Sequence, residues 1–162
     1  MSRTFPFLIS FLIVLSDQAT KYLVRQFIEP FKAIEVLPFL HLVNIRNKGA
    51  AFGLFRDLGN AFFVVLSLTA IVILSFLLLR AGMRPFGRLC LALILGGAAG
   101  NLIDRVFMGS VIDFIDFFID RYHWPAFNIA DSAITIGLVM LLFSSEFTRR
   151  SGGEHETSLG NY

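Results

Sequence analysis

Cysteine occurs once in this chain, at Cys90. No intrachain disulfide can therefore form, and a disulfide scaffold is excluded. Cys90 lies in an apolar stretch and reads as a small packed thiol. Charge is also scarce. Only 16% of the 162 residues are Asp, Glu, Lys or Arg, where an ordinary soluble domain carries about 25%. The net charge is +2 and no basic run stands out, so nucleic acid is not an expected partner. The three histidines, His41, His123 and His155, are scattered. With no HExxH and no Cys cluster, a zinc site is not expected. There is no GxSxG, no Ser–Lys arrangement and no phosphate-cradling glycine loop, so serine-hydrolase and nucleotide chemistry are also disfavoured.

Apolar residues are abundant. Hydrophobic types make up 56% of the chain, and the mean hydropathy is +0.71. A chain this short has too much surface per volume to hide that much apolar side chain from water. A soluble monomer and a disordered chain are both disfavoured, and lipid is the expected solvent. A span needs about 20 helical residues. Four are readable, at about residues 5–25, 61–79, 88–104 and 127–146 of a single domain covering 1–150. The first is read as a retained span and not a signal peptide. Only Arg3 precedes it and no small-x-small site follows. The third is expected to stop at Asp104-Arg105. The polar stretch 151–162 reads as a disordered tail.

The connections differ in character. Residues 80–88, RAGMRPFGR, form a tight turn with three arginines. Residues 31–58 contain IEVLPFLHLVNIRN, a partly alternating strand pattern that Pro38 splits or confines to an edge. In SVIDFIDFFIDR, Asp113, Asp116 and Asp120 stand at i, i+3 and i+7, which predicts one face of a short amphipathic helix. Gly96 and Gly100, four apart, permit close helix packing.

Four spans put both termini on one side. Raw Lys/Arg counts do not favour that side as the inner one, but the density of the 80–88 loop does. The termini are expected inside.

That topology gathers Asp17, Lys21, Asp104, Arg105 and Asp131 at the outer edge of the bilayer. Ionisable groups there need a reason. Asp17 and Lys21, at i, i+4, read as an ion pair, either at the interface or in a site. Asn101 and Arg105 share one face, and the arginine can clamp helices or orient a carboxylate. Asn47 is a turn residue or a backbone-binding amide. Asp131 is an N-cap or a reacting carboxylate, with Asn128 competing for the cap. If one of Asp113, Asp116 or Asp120 approaches Asp131, the two acids cannot both ionise comfortably. One keeps a proton, and the pair can run general acid–base hydrolysis.

DQATK at 17–21, NKGAAFG at 47–53, GNLIDR at 100–105, GSVIDF at 109–114 and FNIADSAI at 127–134 resemble, in order and spacing, the motif blocks of the lipoprotein signal peptidases. These are bacterial type II signal peptidases, which are intramembrane aspartyl proteases. The resemblance implies a four-helix membrane protein with a small extramembrane β-cradle. It implies Asp113 and Asp131 as the catalytic pair, and returns Asp116 and Asp120 to a solvated face. Asp17, Lys21, Asn47, Asn101, Arg105 and Asn128 are implied as substrate- or inhibitor-binding or supporting residues. The implied substrates are diacylglyceryl-modified prolipoproteins, cut just before the lipidated cysteine. Globomycin-type cyclic peptides are the implied inhibitors and membrane lipids the surroundings, with no metal or cofactor. The implied place is the bacterial cytoplasmic membrane, with the site near the outer face, and a monomer is expected. The rival readings are a small transporter or channel that uses intramembrane carboxylates, and a non-catalytic assembly protein.

Overall fold

The computed structural model describes residues 4–30, 32–49, 58–80 and 82–143. Helix α1 (Phe5–Phe27) leads into strands β1 (Ala33–Leu37) and β2 (Leu40–Asn47). Helices α2 (Gly59–Leu79) and α3 (Pro85–Met108) follow, then β3 (Val111–Ile119), β4 (Tyr122–His123) and α4 (Ile129–Leu142). The strands form one antiparallel sheet in the order β1-β2-β3-β4. Each strand pair follows an odd-numbered helix and precedes an even-numbered one, so the sheet sits at one end of the helices.

Three helices, α1, α2 and α3, are long and apolar enough to cross a membrane. Helix α2 has a mean hydropathy of 2.9, and its apolar side chains, Val65 and Val72 among them, face outward. A helix that is apolar on its outer face needs lipid around it. The described part of α4 is a shorter apolar helix of 14 residues. The expected end of the fourth span at 146, and the tail 151–162, lie outside the described residues, as do positions 50–57 of the expected β element.

Helix α3 is the central element, packed on α1, α2 and α4. Glycines allow the close approach. A Cβ at Gly96 would lie 2.8 Å from the Ser10 carbonyl of α1, and one at Gly97 would collide with the Ala130 carbonyl of α4. The expected halt of this helix at Asp104-Arg105 is corrected: it runs to Met108 and ends at Gly109, whose φ of 68° makes the left-handed C-terminal turn. The charges do not stop it because Asp104 points inward and is fully buried.

Pro38 splits the sequence's long strand into a hairpin, with Pro38 and Phe39 at the turn between β1 and β2. The short amphipathic helix expected over 110–121 is also corrected, because Val111–Ile119 is strand β3. The segment is almost wholly β-branched and aromatic between its acids, which favours an extended chain. Its first half is buried on both faces. Ile112 and Phe114 pack against Val24 and Ile28 of α1, while Val111 and Asp113 turn to the other side, toward a cavity. The i, i+3, i+7 spacing of the acids was a coincidence of helical period. As a strand, the segment puts Asp113 and Asp116 on opposite faces.

Candidate active site

The site is built where the sheet meets the ends of α3 and α4. Asp113 stands on β3 and is 2% exposed. Its Oδ2 accepts a 3.0 Å hydrogen bond from Asn47 Nδ2 at the end of β2, and its Oδ1 accepts a 2.8 Å bond from Asn128 Nδ2. Burial and the nearby Asp131 carboxylate raise its pKa from the ordinary carboxylate value to about 7, against the two amide bonds that favour ionisation.

Asn128 is the N-cap of α4, and Asp131 is the third residue of its first turn. Asn128 Oδ1 accepts from the Asp131 backbone N–H at 2.8 Å, and Asp131 Oδ2 accepts from the Asn128 backbone N–H at 3.3 Å. This is a capping box. It settles the competition left open by the sequence: Asn128 caps, and Asp131 closes the box. Asp131 Oδ1 accepts a 2.8 Å bond from Asn101 Nδ2 on α3.

Asn101 is held from behind. Lys21 Nζ donates to Asn101 Oδ1 at 3.1 Å, which turns the amide nitrogen toward Asp131. Lys21 is itself paired with Asp17 at 2.8 Å and Asp104 at 3.0 Å, all three side chains being buried. The interface reading of Asp17 and Lys21 is thereby corrected. Neither reaches outward, because their partners are inside. Asp17 Oδ1 accepts the Ala130 N–H of α4 at 2.9 Å, and Asp104 Oδ2 accepts the Ile112 N–H of β3 at 3.1 Å. One buried cluster thus ties α1, α3, α4 and β3 together.

Arg105 does not form a carboxylate fork among the described residues. Its guanidinium donates to the Asn101 and Gly49 carbonyls at 3.5 and 3.4 Å and lies over the Phe63 ring. Asp116 is corrected from a solvated residue to a buried one, bonded to His123 on the opposite face of the sheet from Asp113. Asp120 is exposed and makes the β3–β4 turn with a φ of 55°.

Asp113, Asp131, Asn47 and Arg105 line one cavity of about 540 Å³, walled on its apolar side by Trp124, Phe127 and Ile134 among others. It offers one buried and one partly buried carboxyl, Asp113 and Asp131, each already held by a side-chain amide, beside an apolar wall. That set suits acid–base work on a polar bond carried by an apolar substrate. Among the described residues, no group of three His, Cys, Asp or Glu is arranged to hold a metal ion.

Two side chains that the family resemblance gives no role also join the site: Asp104, already gathered there by the topology, and Gln18. Gln18 Nε2 donates to Asp104 Oδ1 at 3.0 Å and to the Gly100 carbonyl at 3.1 Å. One signal was available for Asp104: it continues the Gly97, Gly100 stripe at i+7, the face that packs inward.

Comparison with known proteins gives the family. The family model described as Signal peptidase (SPase) II matches residues 9–147. A lipoprotein signal peptidase of Thermodesulfovibrio yellowstonii is 45% identical over 135 residues, covering 83% of this chain and 90% of its own. One from Francisella tularensis subsp. novicida is 42% identical over 149 residues, covering 89% and 92%. A bacterial membrane enzyme solved by the in meso method at 2.3 Å superposes with a TM-score of 0.81 at 32% identity, covering 96% of this chain and 94% of that one. A second such enzyme, solved at 1.9 Å, gives a TM-score of 0.77 at 34% identity. Matches over nearly the whole chain set aside the transporter and assembly readings. The chain is a multi-pass membrane protein of the lipoprotein signal peptidase family, peptidases that remove signal peptides from lipoproteins.

Proposed function

We propose that the chain is an aspartyl peptidase of the bacterial cytoplasmic membrane that cuts diacylglyceryl-modified prolipoproteins just before the lipidated cysteine, using Asp113 and Asp131. One observation carries the reading. The two carboxyls line the same cavity, each fixed by an amide, and burial together with Asp131 holds the Asp113 proton up to about pH 7.

The chemistry follows from that proton. Protonated Asp113 donates to the scissile carbonyl oxygen. Ionised Asp131 takes a proton from a water as the water attacks the carbonyl carbon. The tetrahedral intermediate then collapses as Asp131 returns that proton to the leaving amine nitrogen, the C–N bond breaks, and Asp113 takes its own proton back from the oxygen as the carbonyl re-forms. Both steps are proton transfers among the acids, the water and the peptide, so the mechanism calls for no metal or organic cofactor. Asn47 and Asn128 orient Asp113, Asn101 orients Asp131, and Arg105 lines the cavity to meet substrate. The apolar wall and the lipid beyond it receive the acyl chains. Globomycin-type cyclic peptides compete for the same cavity.

In this reading α4 is the fourth span, the termini are cytoplasmic, the sheet and cavity lie at the outer face, and the enzyme works as a monomer. The arginines of the 80–88 turn support that orientation. The test is a gel-shift assay on a lipidated prolipoprotein. Asp113→Asn and Asp131→Asn each abolish cleavage, while Asp120→Asn, at the exposed turn, cleaves as the parent does. Normal turnover by either dyad variant sinks the mechanism.

A further inference from the structure

Asp116 is 7% exposed, yet it has no part in the cavity. Its two carboxylate oxygens lie 3.1 and 2.9 Å from His123 Nδ1, and its Oδ2 lies 3.7 Å from His41 Nδ1. With its proton on Nδ1, His123 donates into the carboxylate. His41 is the cross-strand partner of Asp116 on β2. The Phe118 ring stacks on both imidazoles, at 4.1 Å from His41 and 5.3 Å from His123. One buried carboxylate therefore gathers three chain segments: β2, β3, and the return segment that begins at β4.

Each of those segments delivers a member of the site. Strand β2 ends at Asn47, which donates to Asp113. Strand β3 carries Asp113 itself. The return segment leads through Phe127 to Asn128 and Asp131. The backbone pairing of the return segment changes register part-way, although the Phe127 carbonyl accepts from both Phe114 and Ile115. Strand β4 is two residues long. After it, the Trp124 N–H donates to the Phe117 carbonyl at 2.7 Å, and Phe127 bonds reciprocally with Ile115 at 2.9 and 3.1 Å. Three steps on one side thus oppose two on the other, which makes a bulge. Pro125 lies inside it and has no N–H to give. The Asp116–His123 bond crosses the hairpin beside this gap.

We propose that Asp116 and His123, seated against His41, are positioning residues for the cleavage reaction: they fix the register of the β3 return segment and so the placement of Asn128 and Asp131 against Asp113. The inference rests on the reading of Asp113 and Asp131 as the reacting pair. A bulged ladder with a single-residue slip available would carry Asn128 away from Asp113. Misplacement of reacting groups by about 1 Å can cost about a hundredfold in rate.

The test uses the full chain in detergent with a lipidated prolipoprotein, reading kcat, KM and the thermal unfolding midpoint of each variant. Asp116→Leu fills the same space without an acceptor, and His123→Ala removes the donor at a half-exposed position. Each lowers kcat about tenfold, with KM within about twofold and the unfolding midpoint unchanged, a fraction of the loss that full misplacement brings. The double variant is no slower than the slower single one, because one bond is lost in all three. Asp116→Asn and His123→Gln keep an acceptor and a donor and recover kcat to within about threefold of the parent. Should Asp116→Leu fail to fold, the contrast between His123→Ala and His123→Gln carries the test. Unchanged kcat, a loss in KM alone, or multiplied losses in the double variant overturns the proposal. Parent enzyme and Asp113→Asn run alongside. If the parent does not cleave, or Asp113→Asn does, the dyad reading fails. If those two behave as expected and the Asp116 and His123 variants match the parent, only the positioning role is lost.

Discussion

The Lys21 ammonium donates to the Asn101 amide oxygen across 3.1 Å, between the buried parts of α1 and α3. A cation is thereby held buried between helices to orient an amide that in turn holds Asp131. Burial on this scale is tolerable because Asp17 and Asp104 flank the cation.

Replacing the cation therefore removes two effects at once. Lys21→Met leaves Asp17 and Asp104 facing each other without their shared partner. Breaking a buried pair from one side costs about 3–5 kcal/mol. The thermal unfolding midpoint in detergent falls sharply, and prolipoprotein cleavage falls with it. An unchanged midpoint would show that the cluster is not needed for the packing of α1, α3 and α4.

Asn128 separates stability from chemistry. Its backbone position is an ordinary helix cap, and loss of such a cap costs about 1 kcal/mol. Its Nδ2 also holds Asp113 at 2.8 Å. Asn128→Ser keeps a capping oxygen but loses the reach to Asp113. Cleavage falls by about a hundredfold, the low end of what a positioned acid or base supplies, while the unfolding midpoint falls only modestly, since Nδ2 also reaches Asn101 Oδ1 and the Ile112 carbonyl at 3.3 Å. Steady-state cleavage and thermal unfolding of the same preparation check this; equal, small changes in both would make Asn128 a cap alone.

The pH dependence follows from Asp113. Burial and the nearby Asp131 raise its pKa to about 7, so below that pH it carries the proton that the scissile carbonyl needs. As pH rises through about 7 the proton leaves and the rate falls, which gives an alkaline limb on kcat/KM. The sign is that of a raised acid: the active protonated form lies on the low-pH side. Neutralising a neighbouring negative charge lowers a raised carboxyl. A rate still rising between pH 7 and pH 9 would contradict Asp113 as the proton donor.

Much of the site was legible in the chain before any coordinates. The five motif blocks deliver Asp17, Lys21, Asn47, Asn101, Arg105, Asp113, Asn128 and Asp131 to one end of the helices. Helix α2 is plain in the sequence because residues 61–79 run for 19 positions without a charge, a pattern with few other solutions. What failed was local and has a common cause. In residues 110–121 the spacing of three acids points to a helix, although the side chains between them favour an extended strand. Asp116 went wrong with the segment, since only a strand puts it on the face opposite Asp113. The Asp17–Lys21 pair was judged by its position near a helix end, but its environment is set by Asp104, 83 residues after Lys21 and invisible to a helical wheel. Long-range partners decide burial, and one sequence shows only near neighbours.

Gly97 offers the last prediction, because it tests whether the dyad depends on helix contact as well as on hydrogen bonds. A Cβ there would run into the Ala130 carbonyl and the Ile134 side chain on α4. Ala130 adjoins Asp131, and its N–H is bonded to Asp17. In a membrane interior, where small residues set how near two helices come, even one methyl group must push α4 outward. Overpacking of this kind costs about 1–3 kcal/mol, and the displaced first turn carries Asp131 away from Asn101. Gly97→Ala therefore lowers the unfolding midpoint modestly and cleavage more than proportionally. A glycine whose added Cβ would face open space gives no such collision, but Gly59, Gly82 and Gly109 all have positive φ and would add backbone strain. The fitting comparison is Val72→Ala on the outward face of α2, where a smaller side chain alters no contact with the site. If Gly97→Ala cleaves as well as Val72→Ala does, the approach of α3 to α4 is not what holds Asp131 in place.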